Sequence, residues 1–519
     1  MPTSVKKNNL KKGRFLVNVV SNVVNFLLTA LIGIWFTPYL IRNLGIAAFG
    51  LIALALSLTS YLNIFTLIIN SALGRFITIA FAQDNHDESK RIFNTSFFGT
   101  IFIIVILIIP TYWLSYKISG FIKIPIGYVD DFRVLFIFTI ATFMIMAVRG
   151  VFQISSFASN RFDLRNLVEI SSVLSKIAIV VIFFKLATPK IWHVGAGIMF
   201  SGILSLVLAI LVCHYLTPDL IINIKKFDFL KLKNMVNMGS WIFVSQIGTI
   251  LLINIDLLVT NVMFGAEASG RYASIIQWSG FIRSFSMVIA GVFTPTILYY
   301  YAKNNIPELI KYSKQAVKFL GLLIALPIAL LCGFSKPLLQ VWLGDSFISL
   351  APLMFLTLIH LCINLGYLPL HNISIATNNV KVPGIVQIII GILNLFLALF
   401  LAGPIGWGMY GIAAAGGIVL LIRNLIFTPL YAAFLLKQPY YIFLKEVLPI
   451  SIATFILSLI CWSITLFFNL ASFGHLIVAG IIISFLYIIS VIIFLTDKNE
   501  RTLLLDIIRF FPKRKVEVV

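Results

Sequence analysis

Three cations, Lys176, Arg283 and Arg423, stand inside long apolar runs. Each lies roughly nine to thirteen residues from an end of its run, which at about 1.5 Å of rise per residue is near the mid-depth of a bilayer. A charge there costs a few kcal/mol, so such a group is a functional candidate by default. If the three face one axis they make a cationic cavity suited to a diphosphate or an acidic sugar, with arginine binding phosphate oxygens through its fork. The competing reading is that they only tie helices together.

Asp256 and Glu169 are the carboxylates well inside apolar runs. Each is a candidate for taking up a coupling proton or sodium ion. The alternative is structural: Asp256 partners Arg283 or another helix, and Glu169 shares a polar stripe with Lys176 two turns away. Arg75 and Arg149 lie near the ends of their runs, where they either snorkel to headgroups or capture a diphosphate at the membrane surface. His360 and His371 are about 16 Å apart by helical rise, too far to share a metal; a proton relay at His371 is the alternative to simple solvation. The four cysteines, Cys213, Cys332, Cys362 and Cys461, show no metal or redox spacing and read as core filler. No catalytic residue, metal or cofactor is expected.

Amides such as Asn25, Asn70, Gln153, Gln246, Asn254, Gln277 and Asn364 recur within the same runs and are expected to face a cavity or to bond between helices.

The elements that must position these groups are membrane helices. Hydrophobic residues make up 60% of the 519 positions and charged ones 11%, which excludes a water-soluble globule. Apolar runs near 16–40, 46–80, 94–116, 132–153, 166–186, 194–216, 237–263, 270–300, 315–334, 349–372, 384–402, 410–436, 446–468 and 474–496 are each long enough to cross a bilayer. The fold class is therefore all-α and polytopic, with about fourteen transmembrane helices.

An even number places both ends on one side. Of the 39 lysines and arginines, 28 fall on the side of the termini, eight on the other, and three inside spans. That bias predicts cytoplasmic termini in a cell membrane. The net charge of +21 belongs to this topology, since no soluble domain exists to bind nucleic acid. Residues 1–14 form a basic tail, followed by a retained first helix without a cleavage site. Residues 497–519 end in a second basic tail with Leu503, Leu504, Ile507, Ile508 and Phe511 at helical spacing; it is either an interfacial helix or a frayed tail that only sets topology.

The stretch LGIAAFG, residues 44–50, returns as FGAEASG at 264–270, pairing Gly45 with Gly265, Gly50 with Gly270 and Ala53 with Ala273. A second pair, Ala158 and Asn160 in FASNRFD against Ala376 and Asn378 in IATNNVK, has nearly the same offset. The two matches indicate a duplicated six-helix unit. The predicted domains are an N-lobe at 15–216, an inter-lobe loop at 217–236, a C-lobe at 237–436, and two further helices at 446–496. Six is even, so the copies are parallel and related by a pseudo-twofold axis along the membrane normal. The site is expected between the copies, away from either turn.

The first half, in FTPYLIRNLGIAAFG, LGRFITIAFAQDN with a basic pair and FNTS, and SNRFD, resembles polysaccharide and lipid-linked oligosaccharide flippases. These include O-antigen-type flippases of the multidrug/oligosaccharidyl-lipid/polysaccharide exporter superfamily. The second half continues the likeness in INIDLLVTNVMFGAEASGRYA, FTPTILYYYA, VWLGDSF and IATNNVKVPGIV. The resemblance implies two lobes around a central cavity that opens alternately to each side. It also implies a polyprenyl-diphosphate-linked saccharide as substrate, with membrane lipids and other polysaccharide-assembly proteins as partners and H+ or Na+ for coupling.

Two other function classes compete. A multidrug exporter of the same superfamily would favour an acidic cavity, and the mid-depth groups here are mostly cations. A membrane-embedded glycan polymerase would need a long catalytic loop, and every loop here is short. The topology has a direct check: cysteines placed at positions 42 and 231 should label from opposite sides of the membrane, and labelling from the same side would refute it.

Overall fold

The computed structural model describes residues 3–83 and 85–495; the expected interfacial helix in the C-terminal tail lies outside them. The chain runs as helix after helix, with no strand among the described residues. The first six are α1 (Thr3–Leu44), α2 (Ile46–Ala82), α3 (His86–Lys117), α4 (Val129–Phe152), α5 (Phe162–Leu186) and α6 (Ile191–Leu216). After the inter-lobe loop come α7 (Phe229–Ile253), α8 (Ile255–Ala302) and α9 (Ile306–Gly333). A broken span then leads to α10 (Lys381–Ala402) and α11 (Gly408–Ile422), and finally to α12 (Val447–Phe467) and α13 (Phe473–Ser490).

Helices dominate because in hydrocarbon each backbone N–H and C=O must find its partner within the segment. Thirteen helices among the described residues are long and apolar enough to cross a membrane. The chain is a multi-pass, all-α membrane protein. The expected seventh span, 237–263, is built differently from a single rod: α7 stops at Ile253, and its last turns are supplied by the start of α8. At 48 residues α8 would run about 72 Å if straight, far beyond a bilayer. Gly265 breaks it with φ 87° and ψ −175°, and division there brings the crossings to fourteen.

The tenth span is also broken, into Ala351–Leu358, Leu361–Gly366, Leu368–Leu370 and His371–Ala376. The twelfth passes through a π-helical turn, Arg423–Phe427, between α11 and Thr428–Leu435. Such breaks at membrane depth survive only where neighbouring groups or a cavity take up the freed backbone.

The repeat is visible in backbone conformation. Gly45 has φ 87° and ψ 163°, matching Gly265. Asn160 and Asn378 share a left-handed φ, 53° and 57°, which asparagine tolerates better than most residues. A third pair emerges that the hydropathy did not show: Asn85 caps α3 by accepting from the Glu88 N–H, and Asn305 caps α9 by accepting from the Glu308 N–H. All three pairs keep the offset of the sequence repeat.

By packing, the chain divides into two compact units: residues up to 288 with 378–420, and residues 289–377 with the chain from 421 onward. In the first unit one core gathers Ile69, Leu73, Ile77, Phe93, Val151 and Ala209, and another joins Leu252 to Ile390, Val419 and Leu420. In the second, Ala329, Phe334, Leu457 and Cys461 form the core.

Within the first unit the two repeated turns touch. A Cβ on Gly50 would collide with the Ala266 carbonyl and the Gly270 backbone, and one on Gly270 would collide with the Ile46 carbonyl. Ile46 and Ala266 are themselves 220 apart, so the contact is reciprocal, as at a twofold axis. Gly50→Val should therefore overpack this approach at a cost of about 1–3 kcal/mol, read as a lower unfolding temperature in detergent; an unchanged temperature would contradict the contact.

Candidate functional site

Beneath the paired glycines the first unit encloses a cavity of about 520 Å³. Both copies of the repeat supply its walls: Leu40, Phe49 and Ala53 from the first, Leu257, Ala273 and Ile276 from the second. It lies between the copies and within a turn of helix of the paired glycines. Its polar groups are few and placed at specific points, as in small-molecule sites: Thr37, Ser57, Ser60, Lys176, Asn254 and Gln277.

Each is positioned by a local feature. Thr37 on α1 donates to Gln277 Oε1 on α8 at 2.6 Å. Asn254 occupies the break between α7 and α8, and its freed carbonyl accepts from Ser57 Oγ at 3.3 Å and Tyr61 Oη at 3.0 Å. A helix broken beside a cavity is a common way to expose backbone polarity to a substrate or ion.

Lys176 on α5 reaches the cavity with its ammonium 5.7 Å from the centre of the Phe36 ring. Among the described residues it has no ion pair. Glu169, two turns away on the same helix, is not its ion-pair partner. Glu169 instead pairs with Arg149 across α4 and α5, Oε1 to Nη2 at 2.9 Å, and accepts from Gln153 Nε2 at 3.1 Å. Arg149 is therefore turned into the protein, its side chain 13% exposed, rather than snorkelling to the surface; its Nε and Nη1 are buried without a partner. Arg75 is exposed on α2.

Asp256 is buried in the first turn of α8. Tyr272 Oη donates to its Oδ2 and Asn394 Nδ2 to its Oδ1, each at 3.2 Å, and Arg283 is near enough for the two charges to interact. Asn394 Nδ2 also bonds the Leu251 carbonyl at 3.1 Å, one turn before the break. Its Oδ1 is buried without a partner. Carboxylate, amide and phenol oxygens thus converge here, with Gly416 of α11 packed beside Asp256 and Asn394.

Arg423 belongs to the second unit. It opens the π-helical turn, with Nη2 3.4 Å from His371 Nε2 and a buried, unpartnered Nε. Next to it Asn424 donates to Asn364 at 3.1 Å, and Asn364 meets His360 Nδ1 at 2.6 Å. His371 is thus a half-buried neighbour of Arg423. Tyr272 and Asn394 escaped the sequence reading, the first because a tyrosine in an apolar run looks like packing; an amide in the middle of the 384–402 run was the available signal for the second.

Residues 15–300 match the polysaccharide biosynthesis protein family. An uncharacterized membrane protein of Bacillus subtilis (strain 168), EpsK, is 32% identical over 493 residues, 95% of this chain and 97% of that one. The chain belongs to this polysaccharide biosynthesis family. A putative O-antigen transporter of Shigella flexneri is 23% identical over 341 residues, covering 64% of this chain and 77% of the relative. Among solved structures, the lipid II flippase MurJ in an inward closed conformation superposes with a TM-score of 0.65 at 17% identity, over 91% of this chain and 98% of that one. Family and fold agree with the all-helical, multi-pass architecture.

The Arg149–Glu169 pair has a clean test. Arg149→Ala leaves a partly buried carboxylate unpaired and should cost about 3 kcal/mol, seen as lower yield and earlier unfolding in detergent. Removing Glu169 as well should restore most of that loss. If the double variant is as unstable as the single one, the pair is not what holds α4 to α5.

Proposed function

We propose that this chain is a flippase that carries a polyprenyl-diphosphate-linked oligosaccharide, a polysaccharide repeat unit, from the cytoplasmic to the outer leaflet of the cell membrane. The observation that carries the reading is Lys176: a cation without an ion pair among the described residues, in a cavity that both copies of the repeat line. Membership of a polysaccharide biosynthesis family, a relative named as an O-antigen transporter, and the flippase fold support the same direction.

The physics of the task fits these groups. The prenyl tail is at home in lipid, while the diphosphate and sugars are not; only the headgroup needs a path. A cation at mid-depth offsets the cost of bringing phosphate charge there, and Arg283 and Arg423 are proposed to share that role with fork geometry for phosphate oxygens. Exposed Arg75 is proposed to receive the diphosphate on the cytoplasmic side, where the lysine and arginine bias also places both termini. Arg149, already paired, acts there by holding α4 and α5. Alternating access follows if the Gly50–Gly270 contact opens when the opposite end closes.

Asp256 is the proposed coupling group. Its oxygens, with those of Tyr272 and Asn394, suit a proton or sodium ion, and the break at Asn254 ties the same helix to the cavity. Glu169, held by Arg149 and Gln153, is the weaker candidate. Export of the surface glycan in cells tests the scheme. Lys176→Ala, Arg283→Ala and Arg423→Ala should each abolish export at normal protein level, and Asp256→Asn should remove its dependence on the ion gradient. Undiminished export in the arginine and lysine variants would remove the cationic path, and expulsion of small cations instead of glycan would favour a multidrug exporter.

A further inference from the structure

The inter-lobe loop is more than a connection. Asn94, in the FNTS stretch of α3, is fully buried. Its Nδ2 donates to the Ile221 carbonyl at 3.0 Å and its Oδ1 accepts from the Asn223 N–H at 2.6 Å, so one side-chain amide does for the loop what a neighbouring strand would do. Thr95 Oγ1 accepts from the Asp228 N–H at 3.1 Å. Lys226 pairs with Asp87 at 3.2 Å and Lys231 with Glu88 at 2.6 Å.

These bonds fix which side of the loop faces outward. The loop's own acids are engaged: Asp219 lies 3.5 Å from His86, and Asp228 caps α7 through the Lys231 N–H. The most exposed large side chains are apolar, with basic residues beside them, while the Asp219 and Asp87 carboxylates stay exposed next to His86 and Lys226. Ile221, Ile224, Phe229 and Leu230 are each two-thirds or more exposed, at 67%, 70%, 71% and 67%, and Lys225 and Lys233 are exposed beside them. Large side chains so exposed and so close together mark an interaction surface rather than scattered surface residues. The loop is also confined to membrane level, because it joins the end of α6 to the start of α7 over only twelve residues, 217–228.

We infer that residues 221–233 dock on the anionic phospholipid headgroups of the inner leaflet. The isoleucines, Phe229 and Leu230 enter the headgroup boundary, while Lys225 and Lys233 meet the lipid phosphates. The Asn94 clasp holds the loop in that pose, so lipid charge bears on the first turn of α7. The inner leaflet is assigned from the lysine and arginine bias; the docking itself does not depend on which substrate is flipped.

The test uses the full chain with Ile224→Cys carrying an environment-sensitive dye, the four native cysteines being buried. It is placed in nanodiscs of phosphatidylcholine alone or with phosphatidylglycerol. Blue-shifted emission that is quenched by a doxyl-labelled lipid is expected in the anionic discs. A lysine near an anionic surface is worth a factor of about five in association, so Lys225→Gln with Lys233→Gln should lower the docked fraction ratio by about 25-fold. Asn94→Ala should blur the docked signal without removing the lipid preference. Equal insertion in neutral and anionic discs would overturn the recognition of lipid charge. A dye that stays in water in every disc would overturn docking altogether and leave the surface to a protein partner.

Discussion

A charge inside hydrocarbon must be partnered or must border a cavity, and the interior of this protein is arranged around that constraint. Arg149 and Glu169 satisfy it with each other. Asp256 satisfies it with Tyr272, Asn394 and the nearby charge of Arg283. Lys176 satisfies it by opening on a cavity floored by an aromatic ring. Arg423 leans on a histidine at a widened helical turn. The first pair joins α4 to α5 yet leaves Arg149 Nε and Nη1 buried without a partner, as Arg423 leaves its Nε.

The duplication supplies the geometry that makes a cavity available. Gly45 and Gly265 reverse the chain with nearly one conformation, and Gly50 and Gly270 then let the two copies meet backbone to backbone. A contact made of glycine backbone has little side-chain interdigitation to undo. Phe49, Ile52 and Ala53, next to this contact in the first copy, and Ala273 in the second line the cavity. The break at Asn254 turns its carbonyl to Ser57 and Tyr61 of the first copy, two residues before Asp256.

Much of this was legible in the residues themselves. Hydropathy located the spans because the bilayer imposes a length, and the buried cations stood out because hydrocarbon penalises them. The offset between LGIAAFG and FGAEASG was a true signal of structure, and the matching angles of Asn160 and Asn378 show that the weaker pair was too. Other features lay beyond the reach of sequence. The Glu169 partner is Arg149 on another helix, which spacing along one helix cannot reveal. The break at Asn254 depends on Ser57 and Tyr61, far away in sequence, for its freed carbonyl. The role of the FNTS stretch could not be read, since Asn94 bonds a loop more than a hundred residues away.

The central claim is that the headgroup of a diphosphate-linked lipid crosses through this protein. The most direct measurement places the purified chain in vesicles that hold a fluorescent polyprenyl-diphosphate saccharide in both leaflets, and follows the fraction reached by a membrane-impermeant quencher. The account predicts that the protected pool becomes accessible with the intact protein and stays protected with Lys176→Ala. A protected pool that persists with the intact protein, or that is lost equally with the variant, would contradict it.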